Sequence, residues 1–181
     1  MRMLLVAMTL FVTANAAPSW AKDQACRAHK KATPSKKGDS TPAADPNAGL
    51  AKSHGGKVWI LGGAGPNAEG ADLGKWLDSH PSAATVTKKP NEERWPITFL
   101  AVFKHAPAKG PATVQFVDKK DPGTLVDQYS TESAATSVVL QEPYDLDSNN
   151  GFNKDRTYVI KVGQIIKNKF VSYATGEISL K

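Results

Sequence analysis

One cysteine, Cys26, is the only thiol in the sequence, so an internal disulfide is excluded and stability has to come from core packing. No apolar run reaches the roughly 20 residues that a membrane-spanning helix needs. The four histidines, His29, His54, His80 and His105, stand singly, with no H-x-H or H-E-x-x-H pair. A Gly-x-Ser-x-Gly elbow is missing, and the carboxylates Glu92 and Glu93 sit beside Arg94 on a polar turn. The sequence therefore presents no catalytic constellation, and a non-enzymatic role is expected.

The first 21 residues have the three parts of a signal peptide in order: Arg2, the apolar run from Leu4 to Val12, and small residues at Ala14-Asn15-Ala16 or Ser19-Trp20-Ala21. Export to the periplasm or the medium is expected. Cys26 follows Lys22-Asp23-Gln24-Ala25, a poor context for lipidation. The net charge of +6 invites a nucleic-acid reading. Its distribution removes that reading. Residues 22–57 hold eight basic and three acidic side chains, whereas 58–181 hold 14 of each. Residues 22–56 are rich in Lys, Pro, Ser and Ala and poor in large apolar side chains, so a disordered basic tether is expected there. Its charge suits weak contact with anionic envelope polymers.

From Lys57 onward, short apolar runs alternate with Gly, Pro and Asn turns. Strands are expected near 57–62, 84–88, 96–104, 112–118, 124–130, 135–141, 156–166 and 169–180. The run Ile97 to Phe103 is apolar at every position but Thr98, as in a strand covered on both faces. Tyr158, Ile160 and Val162 alternate, as in a half-buried strand. Lys167-Asn168-Lys169 reads as a tight hairpin, and Leu73, Trp76 and Leu77 give a buried stripe to one helix over 71–79.

This pattern predicts an all-β domain over 57–181, an immunoglobulin-like antiparallel β-sandwich of 7–9 strands with one short helix. The segment Phe152 to Tyr158 resembles the tyrosine corner of immunoglobulin-like and fibronectin-like domains, which makes Tyr158 structural, its hydroxyl bonded to nearby backbone.

Three patches are candidate sites. Gly63-Ala64-Gly65-Pro66-Asn67-Ala68 formally follows a strand and precedes a helix, but the βαβ context of a dinucleotide fold is absent. Asp145, Asp147, Asn149 and Asp155, with Glu142 nearby, form an oxygen-rich stretch that could hold calcium in an irregular shell, although Gly151 falls out of the EF-hand register. Trp95 and Tyr144, each next to a proline, are the aromatic residues expected to be exposed enough to contact a ligand. The leading expectation is an exported module of the envelope or secreted fraction, binding a protein partner through loops or a sheet edge. A calcium-dependent carbohydrate-binding module is the first alternative, and a degenerate hydrolase or inhibitor domain the second.

Overall fold

In a computed structural model, residues 44–181 are described, apart from the side chains of 132–134. The expected signal peptide, Cys26 and the tether up to residue 43 lie outside the described residues.

The elements, in chain order, are α1 (Leu50–Ser53), β1 (Lys57–Leu61), α2 (Gly70–Ser79), β2 (Thr85–Val86), β3 (Arg94–Val102), β4 (Pro111–Asp118), β5 (Leu125–Ala134), β6 (Val139–Asp147), a 3-10 turn (Ser148–Asn150), β7 (Thr157–Ile166) and β8 (Lys169–Leu180). The strands form one mixed, curled sheet in the order β5-β4-β7-β8-β1-β3-β6, with β2 beside the end of β8. No helix among the described residues is long and apolar enough to cross a membrane.

The sheet has two antiparallel halves, β5-β4-β7-β8 and β1-β3-β6. They meet at a single parallel rung, Lys57 opposite Thr175. Gly176 is required at this joint, because a Cβ there would lie 2.8 Å from the Val58 carbonyl oxygen. Beyond the joint, β2 takes over the edge of β8 with two further parallel rungs.

The two halves close on one apolar core. Val58, Ile60, Ile97 and Phe99 come from one half, and Val114, Phe116, Ile160 and Val162 from the other. Curling is complete enough that the two end strands touch through side chains: the rings of Tyr129 on β5 and Tyr144 on β6 stack at 4.8 Å. Tyr144 also packs at 5.1 Å against Phe116.

Alternation explains the second layer. On β1, Trp59 and Leu61 point away from Val58 and Ile60, and with Leu100 and Val102 of β3 they meet Leu50, Leu73 and Leu77 of the helices. The continuous apolar run in β3 is thus covered on both faces, as expected. Tyr158, Ile160 and Val162 are buried along β7, also as expected. The Lys167-Asn168 hairpin has φ of 49° and 61°, the pair of left-handed residues of a type I′ turn.

The expected all-antiparallel pairing is corrected, because β8 takes β1 and β2 as parallel neighbours, and so are two local expectations. Folded structure begins N-terminal to residue 57: Leu50 is buried under α2, and the Asp45 carboxylate accepts from the Val138 N–H (2.8 Å) and the Ser137 hydroxyl (3.0 Å). Asn47 Oδ1 accepts from the Gly70 N–H at 2.8 Å and so caps α2, whose own N-cap Glu69 makes no such bond. One leucine and two capping side chains suffice to dock a segment that composition alone presents as tether. The other correction concerns β6, expected over 135–141. It runs to Asp147, because nine residue pairs with β3 outweigh the poor strand propensity of Glu142, Pro143, Asp145 and Asp147.

Candidate functional site

Strand β6 disperses the expected calcium set. Asp145 and Asp147 lie across from Pro96 and Arg94. The Arg94 guanidinium serves both, at 3.5 Å to Asp145 and 3.2 Å to Asp147. The other oxygen of Asp147 accepts from the Asn149 N–H at 2.8 Å and opens the 3-10 turn. Asp155 pairs instead with Lys181 at 3.1 Å. Among the described residues, no three His, Cys, Asp or Glu side chains group to hold an ion. Of the carboxylates expected to share a cation, Asp145 and Asp147 thus share one guanidinium and Asp155 has its own ammonium.

The aromatic pair is also separated. Trp95 is not an exposed contact: it is 1 % exposed, and its indole N–H donates to the Lys181 carbonyl at 3.0 Å. Pro96, beside it on β3, is tolerated next to β6 and leaves Trp95 facing the core. Tyr144 is half-buried in the stack on Tyr129, and its hydroxyl donates to Asp127. Burial, then that contact with the Asp127 carboxylate, raises its pKa far above the ordinary tyrosine range. Burial, then Glu142, raises that of Tyr129. Both phenols stay protonated, and together they tie the end strands rather than offer a free stacking platform.

Tyr158 behaves as expected for a fold device. It is 1 % exposed, it packs edge-on against Phe152 at 5.1 Å, and its hydroxyl accepts from the Asn153 N–H at 2.6 Å. Close by, Asp118 is buried where β4 ends and pairs with Arg156. The Lys120 backbone N–H (2.8 Å), ahead of the Arg156 guanidinium, holds this carboxyl below its ordinary value near 3.8, although burial opposes it. A lowered folded-state value means stability that is present above pH 4 and is lost as the pH falls through the folded value. Asp118→Asn is therefore expected to be less stable at pH 7 but to lose less stability than the parent between pH 5 and pH 3, read by urea midpoints.

A polar chain that sequence reading missed lies between α1 and α2. The Ser53 hydroxyl is 2.7 Å from His54 Nδ1, and His54 Nε2 is 2.9 Å from the Asp78 carboxylate. His54 and Asp78 are 24 positions apart, and Ser53 and His54 fall in the segment expected to be tether. They line a cleft of about 390 Å³ with Gly70 and Gly74. The residue types are those of a nucleophilic relay. The Asp78 side chain, however, is 75 % exposed, so water competes for the carboxylate that would have to polarise the ring. The buried His54 ring, tilted against Trp59 at 5.9 Å, works as a latch between the helices.

What remains open is the backbone of the end strands. Among the described residues, only one side of β5 and one side of β6 pair with a neighbouring strand. The β6 edge is blunted: Pro143 lacks an N–H, and Gly65 of the β1–α2 loop approaches so closely that a Cβ there would lie 2.3 Å from the Gln141 side chain. The β5 edge has no such proline or covering loop among the described residues, although its register with β4 is bulged in two places, between Pro111 and Thr113 and between Phe116 and Val117. Its ten residues, Leu125–Ala134, include no proline, lysine or arginine. No protein-family model, no curated protein and no solved structure matches the chain, so the site rests on its own geometry.

Proposed function

We propose that the chain is an exported, non-enzymatic module of the cell envelope or secreted fraction, whose folded domain binds a protein partner by strand addition along β5. In this reading the domain is a sandwich of the immunoglobulin-like type. The N-terminal pattern of Arg2, the apolar run and the small-residue cleavage sites supports export. The bond between Tyr158 and the backbone of Asn153 supports the architecture.

The observation that carries the function is the outer side of β5, which no strand pairs among the described residues and which holds no proline or lysine. Proteins normally protect such an edge with proline, lysine or a covering segment, because it templates pairing with another chain. An edge kept free in this way gives a partner main-chain hydrogen bonds for affinity and alternate side-chain positions for selectivity.

The test is site-specific photo-crosslinking of the full chain in a cell that exports it. A crosslinker at Gln128 on β5 should give one discrete adduct, and one at Gln141 on β6 none. Equal adducts from both positions, or none from Gln128, would remove the β5 edge as the docking site.

A further inference from the structure

Three of the four large apolar side chains exposed among the described residues share one place. Ile165 (51 % exposed), Ile166 (37 %) and Val171 (38 %) all stand at the tip of the β7–β8 hairpin. Single exposed apolar residues are ordinary, but a cluster marks an interaction surface.

The register explains how the tip comes to stand free. Strand β4 pairs with β7 as far as Gly163, and β1 reaches β8 at Thr175. The last rungs, Gln164 with Val171, Ile165 with Phe170 and Ile166 with Lys169, belong to no third strand. Their base is rigid. The buried Gln164 amide bonds the Ala108 N–H (2.8 Å) and the carbonyls of Ala108 (3.0 Å) and Gly110 (2.9 Å), and it accepts from the Tyr173 hydroxyl at 3.0 Å. Successive strand residues face opposite ways, so Ile165 and Ile166 make both faces of the tip apolar. A folded partner covers one face of a ribbon, whereas an interfacial lipid layer wets both.

Charge selects among lipid surfaces. Residues 104–111 and 163–176 contain Lys104, Lys109, Lys167 and Lys169 and no Asp or Glu. None of these lysines forms an ion pair among the described residues. On neighbouring elements, Glu132 lies on β5, two strands from the hairpin, and Glu177, further along β8, is engaged by Lys119 at 2.5 Å.

We infer that the β7–β8 tip is an interfacial anchor for an anionic phospholipid surface: Ile165, Ile166 and Val171 enter the headgroup region, and Lys167 and Lys169 meet the phosphates. Apolar insertion and lysine attraction act together in such contacts, and neither alone holds a chain firmly. This goes beyond partner binding at β5, which lies on a different strand.

The test is co-sedimentation of the full chain with vesicles of phosphatidylglycerol mixed into phosphatidylcholine, beside vesicles of phosphatidylcholine alone. The parent should partition to the anionic vesicles. Ile165→Glu with Ile166→Glu should cut that partitioning at least ~tenfold. Lys167→Gln with Lys169→Gln should cut it about thirtyfold, at roughly fivefold per lysine near the surface. Melting temperatures should stay at the parent's, because the tip lies outside the core. The basic N-terminal segment is common to all variants, so the ratios isolate the hairpin. Variants that partition like the parent would overturn the inference, since the N-terminal segment would then do the binding. So would a parent that binds a soluble polyanion but no vesicle, or tip variants that change the oligomeric state while leaving vesicle binding intact.

Discussion

Removing residues 44–56 should destabilise the domain by more than about 4 kcal/mol, enough to unfold much of a protein of ordinary marginal stability. The largest part is Leu50, 4 % exposed and packed with Trp59, Leu73, Leu77 and Leu100. Leu50→Ala alone should cost about 2 to 5 kcal/mol, the range for emptying a buried leucine site. Loss of Asp45 leaves the Val138 N–H without its acceptor, worth about 1 to 3 kcal/mol if the group stays buried. Loss of Asn47 uncaps α2, worth about 1 kcal/mol. Urea unfolding of the two variants beside the full chain measures this. A chain cut at residue 57 that melts like the parent would show the segment to be a tether after all.

Tyr158→Ala should lower stability by about 3 to 5 kcal/mol, because the ring is fully enclosed and leaves a cavity against Phe152 and Ile160. Tyr158→Phe separates the hydroxyl from the ring. It removes the acceptor for the Asn153 N–H, a net cost of about 0.5 to 1.5 kcal/mol, and somewhat more where the stranded donor is kept from water. Both variants should leave adduct formation from Gln128 in proportion to the folded fraction. A Tyr158→Phe chain that melts like the parent would deprive the corner of its energetic role.

Local signals were legible where the physics is local. Asn168 announces its turn because asparagine tolerates a positive φ, and Lys167 beside it takes the same left-handed conformation. Leu73 and Leu77 disclose the α2 stripe, and Ile97 to Phe103 disclose a strand covered twice. What stayed hidden depends on contacts distant in sequence. Leu50 is one apolar residue among polar ones, and only α2 and β3 make it core. Pro143 and the acids of β6 read as loop until β3 pairs with them. Trp95 looks exposed beside Pro96 until the Lys181 carbonyl, 86 residues on, receives its N–H. His54 meets Asp78 through the docking of α1, which no spacing in the sequence encodes.

Sheet order was the least legible feature. Adjacent strands in sequence are often neighbours in space, yet β5 and β6 are joined by a short connection and end at opposite edges of the path. They meet through side chains, the stacked rings of Tyr129 and Tyr144 and the bond from the Tyr144 hydroxyl to Asp127. That separation is what leaves the β5 edge free.

Amide hydrogen exchange of the isolated full chain, resolved by residue, tests this most directly. Alternate amides from Leu125 to Ser130 should exchange faster than those of Tyr158 to Val162, because an edge strand pairs with a neighbouring strand on one side only, whereas β7 is flanked by β4 and β8. Uniformly slow exchange along β5 in the chain alone would mean that its edge is already covered, and would contradict a docking site there.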